Sequence, residues 1–166
     1  MTVDFFYVLA WLMAVSSGLM AGVYLAFSVV IMKSLATLNP SQGIDAMNAI
    51  NKAILKTAFM PLFFGSSLLA LVMIASDLWF LSEPGAGKML TAGLIYFCGM
   101  FVTTAAVNVP LNNKLAKVSG EGEEAQSTWQ VYLNRWKRWN TSRAFWSFFA
   151  LLICLDLLAQ PPIYLI

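Results

Sequence analysis

Apolar side chains fill four long stretches of the chain with hardly a polar interruption: residues 5–32, 57–81, 88–107 and 142–158. Each approaches or exceeds the roughly 20 helical residues needed to cross a ~30 Å hydrocarbon core. Lipid offers no partner for a backbone amide, so each stretch is expected to be a helix. The alternation in steps of two that marks a membrane barrel strand is absent. The first stretch also lacks the basic start and the short apolar core of a signal peptide, and reads as an uncleaved anchor. The expected fold is all-α, an integral membrane up-down four-helix bundle over residues 1–166. The turn-forming run at 82–87 joins the second and third spans as an antiparallel hairpin.

Composition removes the alternatives. Of the 166 residues, 60% are hydrophobic and only 11% charged, against roughly 25% charged in soluble domains. Mean hydropathy is +0.73. Ten basic and eight acidic side chains are too few to cover a soluble fold of this length. An ordinary soluble enzyme and a disordered chain are excluded. With a net charge of +2, so is a nucleic-acid-binding domain. There is no histidine, which removes the commonest general base and metal ligand. No metal and no bound cofactor are expected.

The basic residues give the direction. Lys88 alone falls on the side of the termini. Lys33, Lys52, Lys56, Lys114, Lys117, Arg135, Lys137, Arg138 and Arg143 fall on the other. That asymmetry places the two long connections in the cytoplasm and both termini outside, as in a bacterial inner membrane. The same charges suit contact with anionic lipid headgroups. Cys98 and Cys154 fall near mid-span and read as reduced and packed. In the first span, small residues recur every fourth position from Ala10 to Ala26. Such a stripe suits close packing within the bundle or, through Gly18 and Gly22, a homodimer.

Polar chemistry gathers in the cytoplasmic connections. Asn39-Pro40-Ser41 is a helix start, with Ser41 as the cap. Beyond it Ile44, Met47, Asn51, Ile54 and Ala58 share one face. This amphipathic helix is expected to run on from about Gly43 into the second span, kinked near Pro61. The third span ends at Asn108-Val-Pro-Leu-Asn112, where Pro110 frees a carbonyl. Trp129, Tyr132, Trp136, Trp139 and Arg143 are spaced 3, 4, 3 and 4 and form one helical stripe. That stripe fits either an aromatic belt at the interface or one wall of a site. Asn51, Asn108, Asn112, Asn140 and Arg143 fall at one depth on one side, from three segments. Polar groups within a membrane domain mark a functional site by default. The expected site is a cavity open to the cytoplasmic leaflet, walled by indoles, floored by amides and holding one fixed cation.

At these residues the chain resembles a known family. Gly22-Val-Tyr-Leu-Ala-Phe-Ser28, Met47-x-x-x-Asn51, Asn108-Val-Pro-Leu-Asn112 and Trp136-x-x-Trp139-Asn140-x-x-Arg143 are similar, in order, to pieces of the anthrone-oxygenase-like membrane proteins, which have four spans. Fungal members oxidise an anthrone to an anthraquinone with dioxygen and no bound cofactor. The resemblance implies cofactor-free oxidation of a flat apolar phenol or hydroquinone by this chain. Arg143 would stabilise the substrate anion, with Asn140 and Asn108 beside it. Asn51, Asn112, Tyr132, Trp136, Trp139 and Met47 would hold the ring, and Tyr132 or water would take a proton. One position departs from the family pattern: the residue after Asn140 is often His there and is Thr141 here. The competing reading is a non-enzymatic membrane protein that binds a lipid or quinone, or scaffolds a partner. A transporter fits less well, without an ionisable mid-span residue or an inverted repeat.

Overall fold

A computed structural model describes residues 2–79, 87–118 and 122–159. Among them there is no strand. Four helices are long and apolar enough to cross a membrane: Phe5–Leu35, Phe59–Trp79, Lys88–Leu115 and Glu123–Ala159. A fifth helix, Pro40–Ile54, connects the first span to the second. The protein is an all-α integral membrane bundle. The turn expected at 82–87 lies, except for Gly87, outside the described residues.

The first and fourth spans form the longest contact. Ala10 and Ala14 are buried in it, and a Cβ added to Gly18 would meet Leu151 at 3.5 Å. Gly18 is thus used inside the bundle, while Gly22 has nothing within 4 Å. The second and third spans meet closely at Gly93, where a Cβ would stand 2.8 Å from the Ala70 carbonyl oxygen. Asp77 fixes this pair from the second span. Its Oδ2 accepts hydrogen bonds from the backbone N–H groups of Gly87 (2.6 Å) and Leu90 (2.7 Å). These are two of the donors that a helix start leaves unpaired. Lys88 and Asp156 form an exposed ion pair at the same end.

The opposite end, which carries the basic residues, adds to the sequence-based expectations and departs from several of them. The helical stripe at 129–143 and the span expected from 142 are one helix, which begins at Glu123. Its 37 residues run to about 55 Å at 1.5 Å per residue, nearly twice the hydrocarbon thickness. Its first half is polar on one side and packs on protein with the other, so hydropathy alone misses it. The connecting helix starts at Pro40, leaving Asn39 rather than Ser41 at the cap position. It does not continue into the second span. Thr57 divides them: its Oγ1 donates to the Ile54 carbonyl at 2.8 Å and accepts from the Phe59 N–H at 3.3 Å. Pro61 falls in the first turn of the second span, where a missing N–H costs nothing, so it starts a helix rather than kinking one. The third span does not end near Asn108. It passes through wide, π-helical turns at Phe97–Val102 and Thr104–Asn108 and continues to Leu115. Pro110 lies inside this continuing helix, where it donates no backbone hydrogen bond.

The aromatic stripe is a packed ladder and not an interfacial belt. Trp129, Tyr132 and Trp136 stack on one another at 5.8 and 5.9 Å. All three are buried with Met32, Leu35, Ile44, Met47 and Leu115 in a core of their own. Gly43 makes this possible, since a Cβ there would stand 2.5 Å from the Trp129 ring. Trp139 is 39% exposed. It sits at the edge of the stripe, about 60° from Trp136 at 100° per residue, and turns away from the core. Both cysteines are free, but only Cys154 is buried; Cys98 is exposed.

Candidate active site

A cavity of about 290 Å³ lies at the basic end, between the connecting helix and the spans. Its wall is mostly apolar. Phe63 and Phe101 stack at 5.5 Å on one side, and Met47 and Ile50 of the connecting helix contribute to it. The polar part of the wall is Tyr24, Asn51, Thr104, Asn108, Asn112 and Arg143, with Trp136 between them.

Arg143 is the centre of this group. Its guanidinium lies over the Tyr24 ring at 4.2 Å and near the Trp136 ring at 5.5 Å. Nη1 donates to Thr104 Oγ1 at 3.0 Å and Nη2 to Asn140 Oδ1 at 2.7 Å. Only 4% of the residue is exposed. Among the described residues, no carboxylate forms an ion pair with it. Ring contacts return about 0.5–2 kcal/mol each, whereas an uncompensated buried charge costs several. The arrangement holds a buried cation among neutral acceptors and aromatic rings.

Other polar atoms on the same wall are incompletely bonded. Tyr24 Oη, Asn51 Nδ2, Asn108 Oδ1, Trp136 Nε1 and Arg143 Nε are buried without a well-aligned hydrogen bond, although the Tyr24 hydroxyl stands close to Thr104 and Arg143, and Asn51 close to the Tyr132 hydroxyl. Buried polar groups in folded proteins are paired with few exceptions. Five such atoms gather around one cavity, where water or a polar ligand would complete them.

The structure brings Met47, Asn51, Asn108, Asn112, Trp136 and Arg143 together on the cavity wall. It does not bring the other expected residues there. Asn140 is fully buried behind Arg143. Its Nδ2 donates to the Tyr24 carbonyl at 2.6 Å and to Ser28 Oγ at 2.7 Å. It ties the fourth span to the first, next to the wide turn Phe27–Ile31, and it holds Arg143 in place. Tyr132 is also behind the wall, donating its hydroxyl to Asn112 Oδ1 at 2.8 Å. Trp139 points outward, as described above. Thr141 donates within hydrogen-bond distance of both Ser28 Oγ (2.9 Å) and the Lys137 carbonyl (2.9 Å).

Tyr24 and Ser28 lie in the Gly22–Ser28 piece that resembles the family but have no role assigned from sequence, and Thr104 is not singled out there at all. Tyr24 and Ser28 stand one helical turn apart in a span with few other polar groups, a spacing that puts both on one face. Thr104 belongs to a Thr-Thr pair one turn before Asn108. Those spacings were the available signals. Among the described residues no three Cys, Asp or Glu side chains come together as a metal site would require.

No curated protein and no solved structure matches the chain. A family model does, and its range runs from the connecting helix through the second and third spans into the fourth, leaving out Tyr24 and Ser28. The family is described as anthrone oxygenase, the match covers residues 47–153, and the chain belongs to that family.

Proposed function

We propose that the protein oxidises a flat, lipid-soluble phenolic or enolisable ring with dioxygen, using no bound cofactor, in an integral membrane setting. The observation that carries this reading is a buried guanidinium with no carboxylate partner among the described residues, flanked by rings and by amide atoms without a well-aligned hydrogen bond. An enolate or phenolate supplies the missing charge. Its formation is favoured by the fixed cation in a site partly screened from water. Asn51 Nδ2 donates to a substrate oxygen and Asn108 Oδ1 accepts from a substrate hydroxyl, and Trp136 and Phe63 cover the ring faces. Asn140 acts through Arg143 and is a positioning residue.

For an anthrone the balance is simple. The ring methylene loses two hydrogens and becomes a carbonyl. One atom of dioxygen forms that carbonyl, and the other leaves as water with both hydrogens. The anion itself donates the electrons to dioxygen, so the protein's task is to hold the anion. Among the described residues the wall offers no carboxylate or amine as a base, and the first proton passes to water.

Purified protein in detergent, mixed with an anthrone under air, should form quinone absorbance faster than the protein-free control. Arg143→Gln should remove most of that excess. A rate indifferent to Arg143 overturns the reading. Tight binding of the anthrone without oxygen consumption supports the second reading, a lipid or quinone binder, which the same apolar wall would serve.

A further inference from the structure

The residues around the cavity are not equally covered. Those from the first and fourth spans that form its polar end, Tyr24, Trp136 and Arg143, are buried. Leu55, Phe64 and Val109 are 62%, 55% and 43% exposed, and Ala105 is exposed as well. These four come from the joint after the connecting helix, from the second span and from the third. The mouth of the cavity is therefore on the side of the second and third spans. Closer to the other end of the bundle that side is sealed by the Gly93–Ala70 contact and by the Phe63–Phe101 stack.

The exposed residues of the mouth, Leu55, Phe64, Ala105 and Val109, are apolar, and the polar Asn51, Thr104 and Asn112 of the wall are half-buried. Lys56 and Lys114 lie near it along the chain, are exposed, and take no part in the wall. An apolar rim facing water would forfeit about 25 cal/mol per Å², whereas the same rim against acyl chains forfeits nothing. We infer that the cavity is loaded sideways from the bilayer, between the second and third spans, by phenols dissolved in lipid. A ring whose anionic oxygen meets Arg143 has the rest of the molecule directed at Phe64 and Val109. Alkyl substituents on that side stay in lipid and are tolerated. This inference rests on the cavity being a ligand site.

The test uses the full chain with Cys98→Ser, which leaves only the buried Cys154. Leu55→Cys and Val109→Cys are labelled in turn with a bimane and placed in phosphatidylcholine vesicles. Lipid carrying a nitroxide on its acyl chain should quench both labels, and aqueous iodide should quench them far less. Iodide quenching equal to that by lipid overturns the inference. A second variant, Ala105→Trp, fills the mouth. It should slow oxidation of a vesicle-dissolved decyl-substituted anthrone by at least about tenfold with an unchanged melting temperature; an unchanged rate overturns the inference. The quenching experiment needs no turnover. A protein that oxidises nothing but is quenched from lipid fails the functional reading alone. One that oxidises anthrones but is quenched from water fails this inference alone.

Discussion

Asn140 Oδ1 accepts a hydrogen bond from Arg143 Nη2 at 2.7 Å, one turn further along the same helix. The other end of the Asn140 amide is bound to the first span through the Tyr24 carbonyl and Ser28. The only cation on the cavity wall among the described residues is thus fixed by an amide that is itself fixed by a different span. Asn140→Ala would remove the side-chain donor to the Tyr24 carbonyl and the acceptor of an Arg143 N–H in a buried place, while Ser28 keeps its contact with Thr141. Each such loss costs about 1–3 kcal/mol. The variant should melt at a lower temperature and oxidise more slowly. Asn140→Gln, which keeps the chemistry and moves it by one methylene, should regain little of either.

Charge and geometry at Arg143 can be separated at Thr104. Its Oγ1 lies 3.0 Å from Arg143 Nη1, and Asp is similar in size. Thr104→Asp should pair the guanidinium internally, and Thr104→Ser should leave it free. Binding of an ionisable phenol, followed by quenching of indole fluorescence, is expected to weaken about tenfold or more in the Asp variant. A methylated analogue without an ionisable group should bind both variants alike. Equal weakening of both ligands would mean that the cation is not what recognises the ring.

The four spans were legible in the sequence because burial in lipid is a local requirement: about 20 apolar residues in a row suffice to state it. The connecting helix was legible from the face shared by Ile44, Met47 and Asn51, but its end at Thr57 was not. The gathering of Asn51, Asn108 and Arg143 at one depth followed from counting along each span. Which of the neighbours would face the cavity did not follow. Trp136 and Trp139 differ by only 60° on a helix, and the choice between them depends on where the connecting helix lies. Asn140 and Arg143 looked equivalent as polar groups in an apolar helix. Only the position of Tyr24 and Ser28 on another span makes one a support and the other part of the cavity wall.

Arg143→Met should show that the cation is kept for binding rather than for stability. Replacing buried charges by apolar side chains of similar volume is often neutral or stabilising. The melting temperature in detergent is expected to stay level or rise, even though Thr104 and Asn140 lose a donor. Any oxidase rate should fall by about 10²–10³, the usual effect of removing one group that stabilises a developing anion. A large drop in melting temperature would assign Arg143 to the core instead.

Asp77 offers a test of the opposite end of the bundle, away from the cavity. Its carboxylate holds two backbone N–H groups at the start of the third span and is itself 4% exposed. Asp77→Ala leaves both unpaired and should cost about 1–3 kcal/mol, read as a lower melting temperature. Ligand binding at the far end should be unaffected once the variant is measured below its melting range.

Gly43 and Gly22 make a matched pair, because both are helical glycines and only one is a point of close approach. A methyl group on Gly43 would stand 2.5 Å from Cζ2 of Trp129, whose ring is almost fully buried, whereas one on Gly22 would meet nothing within 4 Å. In a helix interior alanine is intrinsically favoured over glycine by about 1 kcal/mol. Gly22→Ala should therefore leave stability level or raise it slightly. Gly43→Ala has to push the connecting helix off the aromatic ladder, an overpacking cost of about 1–3 kcal/mol that exceeds the helix gain over most of that range. Because Met47 and Asn51 lie one and two turns further along the same helix, the displacement reaches the cavity wall. Gly43→Ala should lower the melting temperature and also weaken ligand binding, while Gly22→Ala changes neither. Equal behaviour of the two variants would show that the connecting helix does not rest on Trp129.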